Sequence, residues 1–119
     1  MTFPGTPLRV TWSALEPKQF EDMVSALLSI LHPTSIRTDG SGGDRGRDVH
    51  FEGTQGLEIF ELKSFTGRLT NNRLNQVRRS FARAKELSPH SWTVICPIDL
   101  TNSEREKFEL LTQDFRHRV

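Results

Sequence analysis

Two runs with strand character, Val49 to Glu52 and Leu57 to Phe65, flank the short connection Gly53-Thr-Gln-Gly56. Turn residues set between β-rich runs at this spacing predict a hairpin. The segment around it narrows the fold further. Pro17 to Leu31 carries Phe20, Met23, Val24, Leu27, Leu28 and Leu31 at helical spacing, with proline in the first turn, where its missing N–H costs nothing. His32-Pro33 ends that helix, because a residue before proline avoids helical backbone angles. Ile36 to Thr38 reads as a short strand, and Asp39 to Arg47, with four glycines in nine residues, as a turn or loop.

After the hairpin, Asn71 or Asn72 caps a helix running to about Leu87, with Leu74, Val77, Phe81 and Ala84 on its buried stripe, and Ser88-Pro89 stops it. Ser91 to Cys96 has the continuous apolar character of a buried central strand. Thr101-x-x-Glu104 is a capping box opening a last helix, with Phe108, Leu111 and Phe115 facing inward. The order α-β-β-β-α-β-α predicts an α/β fold, a mixed sheet with helices on both faces.

At 119 residues the chain is one domain, residues 15–119, preceded by a loose lead-in, 1–14. Cys96 is the single cysteine, which excludes an internal disulfide, and it reads as a small core hydrophobe. No apolar stretch is long enough to span a membrane and no signal segment opens the chain, so a soluble, cytoplasmic protein is expected. The chain stops after Arg116-His-Arg-Val119 without a polar tail, which raises the expectation of further domains in a longer native protein. A net charge of +1 is uninformative, but its distribution is not. Ser64 to Lys85 holds no acid, while Arg68, Arg73, Arg78, Arg79, Arg83 and Lys85 all fall there. Such a block suits a polyanion, with a solvated helix face as the alternative.

The residues with chemical potential are Asp48, at the end of the glycine-rich turn, and Glu61 and Lys63 on the strand after it. Side chains alternate along a strand, so Glu61 and Lys63 share a face roughly 7 Å apart, whereas Glu58 points the other way. If hairpin pairing sets Asp48 beside Glu61, two carboxylates need a cation or a shared proton. Mg2+ meets that need, taking one or two carboxylates and keeping waters. Lys63 can then orient a water and stabilise charge on a phosphate oxygen. Glu21 lies on the border of the first helix's apolar stripe, as an added contributor or as a surface carboxylate. Gln76, Ser80 and Arg83 share one flank of the second helix, which faces either the site or solvent. The glycine-rich turn lacks a Gly-Lys-Ser/Thr ending and leads into a strand, which excludes a P-loop. His32, His50, His90 and His117 have no paired spacing, which argues against zinc.

Phe20-Glu21, Gly42-Gly43-Asp44-Arg45-Gly46-Arg47-Asp48-Val49, Glu61-Leu62-Lys63 and Gln76, in this order, resemble the PD-(D/E)XK nuclease superfamily, most closely its Mrr-like branch. The resemblance runs over residues 15–97. Arg47 stands where the family name has proline, and His32-Pro33 where the Mrr-like pattern often has glycine. It implies a restriction-endonuclease-like three-layer α/β/α fold around a central mixed four-stranded sheet. It further implies metal binding by Asp48 and Glu61, water positioning by Lys63, and support from Glu21 and Gln76. The expected activity is Mg2+-dependent hydrolysis of DNA phosphodiester bonds, with Mn2+ as a substitute, in restriction or anti-phage defence. Arg68, Arg73, Arg79 and Arg83 are the expected DNA contacts. A homodimer fits, since double-strand cleavage by this fold usually needs two sites. The competing expectation is an inactive nucleic-acid-binding or protein-docking module, in which the Asp–Glu–Lys set is a salt-bridge cluster.

Overall fold

The computed structural model describes residues 11, 14–38 and 48–113; the turn 39–47, most of the lead-in and Phe115 lie outside the described residues. The elements follow in the expected order: α1 (Pro17–Leu31), β1 (Ile36–Arg37), β2 (Val49–Gly53), β3 (Gly56–Leu62), α2 (Asn71–Lys85), β4 (Ser91–Ile95) and α3 (Asn102–Leu111). The four strands form one mixed sheet in the order β1-β2-β3-β4. β1 pairs antiparallel with β2, β2 antiparallel with β3, and β3 parallel with β4.

The hairpin closes with Gly53 opposite Gly56. Gly56 has φ +135°, a backbone region that only glycine enters without strain. Alternation along β3 then divides the core into two layers. Ile59 joins Val77, Phe81, Ala84 and Trp92 beneath α2, with Phe108 and Leu111 of α3 packed alongside. Leu62, with Val49 opposite the neighbouring Phe60, packs under Phe20, Val24 and Leu28 of α1. Thus α1 covers one face, and α2 with α3 the other. Trp92 is the hub of the second layer, tilted on Phe81 at 5.0 Å and stacked on Phe108 at 6.1 Å. His32, at the end of α1, stacks on Phe51 at 4.2 Å and closes the first layer at its rim.

Three expectations change. The cap of α2 is Thr70, not Asn71 or Asn72: its hydroxyl accepts from the N–H of Arg73, so the helix starts at Asn71. β3 ends at Leu62, short of Phe65: Lys63 makes the last backbone bond to β4, and two residues beyond Ile95 the chain reaches Pro97, which has no N–H to continue the pairing. β4 is not central. Among the described residues it lies at the end of the sheet, and its apolar character arises because α2 and α3 cover Trp92, while Thr93, on the face of α1, is exposed. Among the described residues, no helix is long and apolar enough to cross a membrane.

Candidate functional site

The hairpin register decides which side chains meet. Val49 pairs with Phe60, so one step further along the antiparallel pair Asp48 stands opposite Glu61. Thr38 N–H donates to the Asp48 carbonyl at 2.8 Å, so the Asp48 backbone faces β1, and its pairing with Glu61 is of the close, non-hydrogen-bonded kind. In that class the Cα atoms are about 4.5 Å apart and the side chains share one face. That face is the one covered by α2, as Ile59 shows by packing there two residues before Glu61.

Asp48 has a second role in the same place. Leu62 N–H, the next donor along β3, gives its hydrogen bond to Asp48 Oδ2 at 2.7 Å. The carboxylate therefore serves as the acceptor that ends the hairpin ladder. Glu61 is only 2% exposed, among the most enclosed side chains described. A carboxylate at that depth needs compensation by a cation, hydrogen bonds or protonation. Lys63 follows with the same strand parity and is half-buried; its N–H donates to the Ile95 carbonyl at 2.9 Å, carrying the pairing with β4 one step past the strand. Gln76 is half-buried on α2, one residue before buried Val77 and four before Ser80, which is fully enclosed.

Asp48, Glu61, Lys63 and Gln76 thus belong to one side of the sheet. Glu21 does not: it is half-buried on α1, the helix over the opposite face. Glu58, also on that opposite face as its strand parity predicts, is half-buried and accepts from the hydroxyl of Ser91 at 3.3 Å. Two carboxylates with retained waters are a donor set that Mg2+ ordinarily accepts. Among the described residues, no group of three or more His, Cys, Asp or Glu is placed to hold a metal ion.

The four arginines expected to contact DNA divide into two pairs. Arg68 forms an ion pair with Glu104 at 3.1 Å and donates to the Asp99 carbonyl at 3.0 Å. Arg73 donates to the carbonyls of Thr66 and Arg68 and lies over the Phe65 ring at 5.0 Å. Both guanidiniums hold the segment between β3 and α2. Arg79 and Arg83, four residues apart on α2, are exposed. Their spacing puts them on one flank of the helix, where they face solvent.

The residue that sequence reasoning undervalued is Glu104. As expected, it closes the capping box of α3, accepting from Thr101 N–H at 2.8 Å. Its other oxygen accepts from Leu69 N–H at 2.7 Å, tying α3 to the segment that leads into α2. The N–H groups of Thr101 and Leu69, with Arg68 beside them, hold its carboxyl below the usual carboxylate range. The Thr-x-x-Glu pattern signalled the first bond; the second partner is 35 residues away and left no local trace. Cys96 is half-buried and burial pushes its thiol pKa up, the opposite of an activated nucleophile. Comparison with family models, curated proteins and solved structures finds no match to this chain.

Proposed function

We propose that this chain is a divalent-metal-dependent endonuclease of the restriction-endonuclease-like fold, hydrolysing DNA phosphodiester bonds in a restriction or defence setting. The observation that carries this reading is the hairpin register, which faces Asp48 with Glu61 two residues before Lys63. In the proposal Asp48 and Glu61 hold Mg2+, or Mn2+ in its place. The bound ion supplies Lewis-acid polarisation of a phosphate oxygen and a more acidic water. Lys63 orients that water and stabilises charge on the phosphate oxygens. Gln76 supports the site from α2. Arg79 and Arg83 contact the phosphate backbone, which positions a duplex without reading its sequence. Cleavage of supercoiled plasmid in Mg2+ tests this: the native chain nicks or linearises it, and Asp48→Ala and Lys63→Ala do not. Equal cleavage by all three ends the assignment.

A second reading has its own support in the burial of Glu61 to 2% and the use of Asp48 as a ladder acceptor. Both fit a nucleic-acid-binding or protein-docking module in which the acids are structural. Titration with Mg2+ or Mn2+ separates the two, since a site that binds the ion raises the melting temperature with concentration and a purely structural cluster does not.

A further inference from the structure

We infer that the outer edge of β4, together with the flank of α1 above it, is a self-association surface that joins two copies of this chain into one continuous sheet. The inference is independent of the nuclease reading, since it involves none of the side chains of Asp48, Glu61 and Lys63.

β4 ends the sheet among the described residues, and none of them sets a strand beside its outer side. Lys63 N–H bonds the Ile95 carbonyl, which fixes the alternation: Ser91, Thr93 and Ile95 direct their backbone groups to β3. Trp92 and Val94 direct theirs outward, and among the described residues none bonds those outward groups. Edge strands are normally blunted by charge, proline or brevity. β1, the other edge, has such protection, with two residues, one of them Arg37. Ser91–Ile95 has five residues, no charge and no proline.

The strand is also self-complementary. A two-fold axis at Thr93 sets Trp92 of one copy opposite Val94 of the other, and each such pair exchanges both backbone hydrogen bonds. Thr93 then meets its own counterpart across the axis in the close pair, a favourable cross-strand combination. Thr93 is exposed in the single chain, so nothing need move to admit it. On the opposite face Trp92 is already covered by Phe108 of α3.

Helix α1 supplies the apolar cover. Asp22 is held by Arg37 at 2.7 Å, and half-buried Glu21 and Ser25 lie on the same flank, which identifies the β1 side of the helix. At 100° per residue, Met23, Leu27 and Ile30 fall on the other flank, toward β4. They are 38%, 47% and 74% exposed. Together they leave roughly 300 Å² of apolar surface per copy, in the size class of functional patches. Two such flanks supply over half of the ~1,000 Å² that a specific interface needs, and the paired strands beneath them add to it. A second copy is the favoured occupant because the strand is uncharged and therefore free of repulsion against itself.

The test is the solution mass of the full chain by light scattering, from about 5 to 500 µM, where a self-associating protein changes mass with concentration. The expected result is a mass rising to that of a dimer. Val94→Pro removes only an outward N–H and keeps every bond to β3, and Thr93→Lys places like charges at the axis; both are expected to remain monomeric with an unchanged circular dichroism spectrum. If Val94→Pro fails to fold, Thr93→Lys decides, because that position is exposed. A native chain that stays monomeric throughout overturns the inference, and so does a Thr93→Lys variant that keeps the dimer mass.

Discussion

The two roles of Asp48, acceptor for a backbone N–H and facing partner of Glu61, can be separated by comparing Asp48→Asn with Asp48→Ala. The Leu62 N–H that Asp48 binds at 2.7 Å belongs to a residue 7% exposed. Alanine leaves that donor without its acceptor, at a cost of about 1–3 kcal/mol. Asparagine keeps an oxygen in place, and the bond weakens only from charge-assisted to neutral. Both substitutions also remove one of two facing carboxylates, which relieves repulsion by the same amount in each. That contribution cancels in the difference, leaving about 2 kcal/mol between the variants. For a domain of this size the gap corresponds to roughly 8 °C in melting temperature, with Asp48→Asn the more stable. Mg2+-dependent cleavage should behave differently, because a carboxamide is a poor replacement for a carboxylate ligand: both variants are expected to be inactive. Melting curves without metal, and plasmid cleavage with it, measure the two roles separately. Equal melting temperatures would refute the ladder-acceptor argument. Full activity in Asp48→Asn would refute the metal-ligand role and leave Asp48 structural.

Replacing both Arg79 and Arg83 with alanine should weaken DNA binding and reduce the slope of log affinity against log salt by about 2, with little change in melting temperature; an unchanged slope removes them from the interface. Changes at Arg68 or Arg73 should instead lower thermal stability, since both hold backbone carbonyls. The lowered pKa of Glu104 contributes stability above its usual value of 4.5, lost as pH falls below that value through the folded pKa. The melting temperature should therefore drop on the acid side of 4.5, and Glu104→Gln should flatten that part of the profile; an equally steep profile in the variant assigns the acid loss elsewhere. Ser80→Ala should be neutral or stabilising, because the Ser80 hydroxyl is fully enclosed and has no hydrogen-bond partner among the described residues. A loss of more than about 1 kcal/mol would reveal a partner for it.

How much was legible in the sequence depended on whether the deciding interaction was local. The hairpin was legible because glycines bound its turn and strand residues flank it, and α3 because its capping box is contained in four residues. The cap of α2 was not, since Thr70, Asn71 and Asn72 are all good capping types in a row and only the bond from Arg73 N–H selects the first. β4 looked central because an apolar run reports burial of its side chains, not whether a strand lies on each side. Parity correctly put Glu58 and Glu61 on opposite faces. It could not show that Glu61 would be almost fully covered, because that depends on how closely α2 lies over the sheet.

The same distinction bears on what the site is built to do. From Leu62 to Leu69 the chain runs without a helix or strand beyond the end of β3, yet its backbone is held at successive points. Leu62 N–H is bound by Asp48, Lys63 N–H by Ile95, the carbonyls of Thr66 and Arg68 by Arg73, and Leu69 N–H by Glu104. Three of these four partners are charged side chains from other parts of the sequence. A loop needed only as a connection gains nothing from such restraint, whereas a loop that must present Lys63 at a fixed position gains pre-organisation, and catalytic geometry tolerates deviations of only about 0.5 Å. A docking module also profits from a rigid surface, so restraint alone does not separate the two functions. The location does favour one: the fixed points begin at Asp48 and Lys63, two of the residues proposed to carry the chemistry, and the two arginines facing solvent lie on the helix that this segment leads into.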